Sequence, residues 1–104
     1  MNQFDVIANP FPRSRERQPY LVALQSDLLT RNLDTLVVAP LEPASSSTFA
    51  DRLNPRVDVE GNAFVLITQE TVTVRKSVLG QPRASIAAER DKIISALDML
   101  FTGF

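Results

Sequence analysis

Apolar positions recur with a period near two along most of the chain, and near 3.6 only from Ser85 onward. The first pattern predicts strands. Phe4, Val6 and Ala8 alternate with Asp5 and Ile7 up to Asn9-Pro10, and Tyr20 to Gln25 forms a second apolar run. Thr35 to Ala39 is β-rich and apolar on both faces, and Pro40 should stop it. Arg56–Glu60 and Ala63–Thr68 flank Gly61-Asn62, which predicts a hairpin closed by a two-residue turn. Thr71 to Val74 alternates as a further strand, and Gly80-Gln81-Pro82 should end the strand region. Beyond it Ile86, Ile93, Leu97, Leu100 and Phe101 share one helical face, opposite Glu89, Arg90, Asp91 and Lys92. Ser85 is placed as an N-cap and Gly103 as a C-cap glycine. The expected architecture is mainly β: five or six strands, then one C-terminal helix over about 85–102. Residues 9–19, with three prolines, and 42–54, rich in Pro, Ser and Ala, read as exposed mobile loops, the second with a helical turn near Phe49 to Leu53.

At 104 residues the chain fits a single domain, 1–104, that buries about 65% of its unfolded surface, enough for a core without staples. The hydrophobic share of 44% and charged share of 22% exclude disordered and fibrous classes. No apolar run has the length of a membrane span, and the N-terminus lacks the charge and hydropathy of an export signal. A soluble, cytoplasmic protein with no membrane partner is expected.

Cysteine and histidine are both absent. That removes disulfides, thiolate nucleophiles, Cys-type zinc sites, Ser-His-Asp triads and the commonest metal ligand. No metal and no cofactor are expected. The net charge of −1 provides no field for nucleic acid, and direct nucleic-acid binding is not expected. Three glycines, Gly61, Gly80 and Gly103, leave no room for a phosphate-binding loop or a nucleophile elbow. The arginines of the first loop, Arg13, Arg15 and Arg17, read mainly as a solvated face. The carboxylate pairs Asp58 with Glu60 and Asp27 with Asp34 read as surface charge, since positions two apart on a strand share its wet face. The chain's last residues, Phe101-Thr102-Gly103-Phe104, place two aromatics at one tip, a composition suited to an interface.

Several segments together resemble one known family. Met1-Asn2-Gln3-Phe4, Leu24-Gln25-Ser26-Asp27-Leu28-Leu29, Val37-Val38-Ala39-Pro40-Leu41, Ser77-Val78-Leu79-Gly80 and a closing aromatic-any-Gly-apolar tetrad occur in the order and spacing of the CcdB toxins of bacterial toxin–antitoxin systems. The resemblance runs almost end to end. It implies an SH3-like open barrel of antiparallel strands with a C-terminal helix. It also implies a homodimer packed through that helix, which poisons DNA gyrase and is not an enzyme. In the family the tip enters the gyrase A subunit dimer and traps the cleaved gyrase–DNA complex, and a cognate antitoxin neutralises the toxin. Carried over residue by residue, the gyrase-binding positions are Leu28, Leu29, Asp98, Phe101, Thr102, Gly103 and Phe104. Asp98 stands where the family has Asn, Thr102 where it has Trp, and Phe104 where it has Ile. The dimer interface falls on Ile93, Leu97, Leu100 and Phe101, and the antitoxin surface on Arg13, Arg15, Arg17, Ser45 and Ser46.

Two other functions fit the same barrel. Related toxins cut mRNA, and a ribonuclease site here would draw on Arg13, Arg15, Arg17 and Asp27. A homologue that binds antitoxin but has lost its target would follow from Thr102 and Asp98.

Overall fold

The computed structural model describes residues 1–45 and 50–104. Among these residues seven strands form one antiparallel sheet: β1 (Asp5–Ala8), β2 (Tyr20–Ala23), β3 (Thr35–Pro43), β4 (Arg56–Val59), β5 (Asn62–Leu66), β6 (Val72–Arg75) and β7 (Ala84–Ser85). A short helix, α1 (Asp27–Asn32), joins β2 to β3, and α2 (Arg90–Thr102) follows β7. The order β4-β5-β3-β2-β1-β7, with β6 also on β3, coils the sheet into a nearly closed barrel. This is the barrel and C-terminal helix expected from the sequence.

The long strand β3 organises the sheet. One edge pairs with β2 from Val38 to Leu41, while the other is shared by β6, opposite Thr35 to Val38, and β5, opposite Leu41 to Pro43. Pro40 does not end the strand, contrary to expectation. Its carbonyl accepts a hydrogen bond from Ile67 N–H at 2.9 Å, so its imino side faces the junction where β6 stops and β5 begins. No ladder hydrogen bond needs a donor there, and proline is tolerated.

Because β2 and β3 are apolar on both faces, two cores form. Phe4, Val6, Val22, Leu24, Ala39, Leu41, Val57, Val59, Phe64 and Leu66 pack with Ile86 and Ile93 on one side. Ile7, Leu21, Ala23, Leu36, Val38 and Val74 pack on the other, covered by Leu79. Phe4 reaches its core from a left-handed backbone (φ 69°) in a turn closed by Asp5 N–H to Asn2 C=O at 3.0 Å. A bulky residue rarely adopts that conformation. Here its burial, a 2.6 Å hydrogen bond from its N–H to Ala23 C=O and the Arg90 guanidinium 5.8 Å from its ring centre hold it.

Other expectations shift in detail. The hairpin turn is Glu60-Gly61, one residue earlier than expected, with φ of 51° and 85° and Val59 opposite Asn62. Both central residues thus take the left-handed conformation that suits a tight hairpin. α2 begins at Arg90 after a 3-10 turn, Ala87–Glu89. Ser85 belongs to β7, and its hydroxyl accepts from Ala87 N–H at 3.2 Å, so it caps the turn and not the helix. Gly103 ends α2 as expected, at φ 78°, donating to Met99 C=O.

The two loops are more braced than their composition suggests. In the first, the buried Asn9 donates through Nδ2 to Gln18 C=O at 2.8 Å and Ser14 Oγ at 3.0 Å. In the second, Glu42 and Pro43 belong to β3, and Asn54 is buried. Leu53 lies in a turn and not in a helix, while Phe49 lies outside the described residues.

Candidate functional site

α1 forms because Ser26 caps it, its hydroxyl accepting from Leu29 N–H at 3.4 Å. The helix turns Thr30 into the protein and leaves Leu28 65% and Leu29 50% exposed. Gln3 fixes it in place: its N–H donates to Asp27 Oδ1 at 2.6 Å and its Nε2 to Leu24 C=O at 3.0 Å, while its Oε1 accepts from Arg90 Nη1 at 3.3 Å. The start of the chain therefore ties α1 to the beginning of α2.

On α2 the helical period buries Ile93 and Ala96 completely and leaves Ile94, Leu97 and Leu100 half-buried. Asp91, Asp98 and Thr102 form the outer ridge. Toward α1, Leu97 and Phe101 join Leu24, Gln25, Ser26, Leu29, Val37 and Thr71 around an open apolar groove of about 280 Å³. Phe101 is 73% and Phe104 84% exposed. Thr102 turns its hydroxyl back onto Asp98 C=O at 2.7 Å, and the Phe104 backbone oxygen accepts from Arg52. These contacts engage the backbone of the tip, while its two aromatic rings stay exposed.

The structure brings together Leu29 and Phe101, two of the seven candidate gyrase positions, with Leu28 beside them. Of the four candidate dimer positions, Ile93 has no accessible surface and is core of its own chain. Leu97, Leu100 and Phe101 keep surface to offer. Ser46 lies outside the described residues, and Ser45 is exposed. Arg13 and Arg15 are exposed, whereas Arg17 lies 3.5 Å from Glu42 and 3.7 Å from Glu70, the carboxylates that also hold Gln18 Nε2. Asp27, the acid proposed for a ribonuclease, sits beside Gln3 at one end of the β1–β2 pair, and the arginine loop at the other. Those groups form no common site. Asp27 and Asp34 stand at opposite ends of α1, and Asp58 and Glu60 are solvated.

Sequence reasoning missed Arg52 and Asn54. Asn before Pro is a turn signal that could have marked Asn54, but nothing in the sequence places Arg52 over α2.

A family model described as CcdB protein matches residues 3–103. The chain belongs to the CcdB family. That membership makes it a toxin of a toxin–antitoxin system. No curated protein matches the sequence. Three solved structures share the fold. An endoribonuclease in complex with its cognate antitoxin, from a Mycobacterial species, has a TM-score of 0.70 at 14% identity, covering 96% of this chain and 93% of its own. The Mycobacterium tuberculosis toxin MazF-mt6 has the same score and identity, at 96% of each chain. The crystal structure of an Mtb toxin has a TM-score of 0.66 at 18% identity, covering 81% and 92%. These likenesses correct one expectation. A CcdB-family barrel was expected to do no catalysis, yet a structure with this fold is described as an endoribonuclease. The fold does not separate the two activities, and missing His and Cys do not exclude an enzyme.

Proposed function

We propose that this CcdB-family toxin acts on DNA gyrase through the surface shared by α1 and the end of α2, and that a cognate antitoxin covers it. One observation carries the reading: Leu29 and Phe101, 72 positions apart in sequence, line the same apolar groove, with Leu28 and Phe104 exposed around it. Exposed aromatic and aliphatic anchors around a groove are the usual energetic centre of an interface. Asp98 and Thr102 face solvent and keep the approach to the groove polar.

A homodimer belongs to the same reading. A two-fold contact centred on the outer ridge of α2 would set Asp91 and Asp98 against their own copies, which is repulsive. We therefore infer that the contact uses the half-buried Leu100, which does not line the groove, and leaves Leu97 and Phe101 to the groove. Sedimentation at micromolar concentration should give twice the mass of 11.5 kDa; a monomer refutes it.

The deciding experiment incubates the protein with gyrase and supercoiled DNA, and separately with cellular RNA. Linear DNA that appears only with gyrase supports the reading. Cleaved RNA would establish instead the ribonuclease activity described for a structure of the same fold. Neither product would mark a homologue that has lost its target.

A further inference from the structure

A second groove lies on the other flank of α2. Its wall is the turn 50–54, built on the buried Asn54. The Asn54 side chain accepts from Ala50 N–H at 3.3 Å and donates to Leu66 C=O at 3.1 Å and to Gln69 Oε1 at 2.7 Å. This anchor presents Arg52 to α2, where Nε donates to Ser95 Oγ at 2.8 Å and Nη2 to the Phe104 backbone oxygen. Arg52, Arg56 and Lys92, with Asp51, Asn54, Pro55 and Ser95, line an open pocket of about 350 Å³. Lys92 is engaged by Glu89 Oε2 at 3.3 Å and Arg56 C=O at 3.2 Å. The Arg56 guanidinium has no partner among the described residues.

The pocket opens beside a sheet edge. Among the described residues β4 pairs with β5 alone and ends the strand order. Pro55 C=O accepts from Leu66 N–H, so the backbone groups of alternate residues, Arg56 and Asp58, turn away from β5. Lys92 takes the outward carbonyl of Arg56, while the N–H and C=O of Asp58 meet no strand among the described residues.

We propose that this groove between β4 and α2 binds an acidic peptide segment. Its carboxylates would meet Arg52 and Arg56, and its backbone would add to the β4 edge. With Lys92 held by Glu89, Arg52 and Arg56 provide the charge, and the β4 edge that no described strand covers provides the main-chain pairing. The Phe104 oxygen on Arg52 already occupies the place of a carboxylate oxygen. Asp51, Asp58 and Glu89 around the rim disfavour a phosphodiester chain, which carries charge at every step. An extended peptide can present its acids on alternate residues only. In the toxin–antitoxin reading, on which this partner rests, the segment belongs to the antitoxin.

The test is an amide NMR titration of the full chain with a blocked Glu-Val-Glu-Val-Glu peptide. The matching lysine peptide and a short oligouridine serve as controls. Saturable shifts at Arg52, Arg56, Asp58, Ser95 and Gly103, with a Kd of about 1 mM or tighter, are expected only with the acidic peptide. Arg52→Gln with Arg56→Gln should weaken it at least tenfold, about the effect of losing one charge-assisted contact. The single change Arg56→Glu, at an exposed side chain without a partner among the described residues, provides a variant that keeps the fold and should abolish binding. Shifts elsewhere only, binding unchanged in the variants, or tighter binding of RNA at the same residues would overturn the proposal. Peptide binding without gyrase cleavage would uphold this site and sink the gyrase reading, and the converse result would do the reverse.

Discussion

Truncating one α2 side chain should separate target binding from folding, and the structure says which one. Phe101 is 73% exposed, so about a quarter of its roughly 200 Å² is covered by its own chain. At about 25 cal/mol per Å², that contact contributes about 1 kcal/mol. Ile93, two turns earlier, has no accessible surface, and its truncation leaves a cavity worth about 2–5 kcal/mol. For a domain of this size about 1 kcal/mol corresponds to roughly 4–8 °C in Tm. Phe101→Ala should therefore lower Tm by that amount, and Ile93→Ala by at least twice as much. In the gyrase cleavage assay the order reverses. Phe101→Ala should weaken cleavage by a factor of about 30, the loss expected when a central aromatic anchor is removed. Ile93→Ala, assayed well below its Tm, should retain activity. Calorimetry and DNA linearisation on the same preparations decide it. Equal losses of stability would refute the burial argument, and full cleavage by Phe101→Ala would remove the groove from the site.

Other consequences can be tested separately. Asn54→Ala strands Leu66 C=O and frees the turn that carries Arg52; a loss of about 2–3 kcal/mol is expected by denaturant unfolding, with unprotected exchange at Ala50 and Asn54. Glu60→Asn relieves a left-handed backbone at φ 51° and should raise stability by about 0.5–1 kcal/mol, read as a higher urea midpoint at unchanged slope. Thr102→Trp removes a hydroxyl bonded only to its own helix and to Phe104 N–H; Tm should move little, while an added aromatic at the tip should tighten gyrase binding about tenfold in a titration.

What the sequence made legible was set by how far each signal extends along the chain. The β4–β5 hairpin and α2 were readable because their periodicity runs over many residues, and β3 because both of its faces are apolar. α1 escaped because it is six residues long and turns Leu28 and Leu29 outward, so no apolar stripe marks it. β7 has two residues and exists only because β1 lies beside it. Pro40 misled because a local rule about donors depends on which neighbour faces the missing N–H, and the neighbours there come from residues 66–72. The candidate site was legible as a set of residues and not as a place. Apolar character marked Leu29 and Phe101, but their shared groove follows from Gln3, which binds Asp27, Leu24 and Arg90 at once. Ile93 looked like interface for the same reason it is core: its face of α2 is apolar, and the sequence does not say which surface covers it.

The pairing of β1 with β7 bears on how such a toxin is made. Val6 lies opposite Ala84, Ile86 N–H donates to Phe4 C=O, and Ile93 fills the core that Phe4 enters. The first strand therefore finds these partners only after Ile93 has been made, and contacts of such separation form late. No partial chain carries the groove, since one wall is α1 and the other is α2. On the gyrase reading proposed above, that surface is thus assembled only once both helices have been made, when an antitoxin can already be waiting.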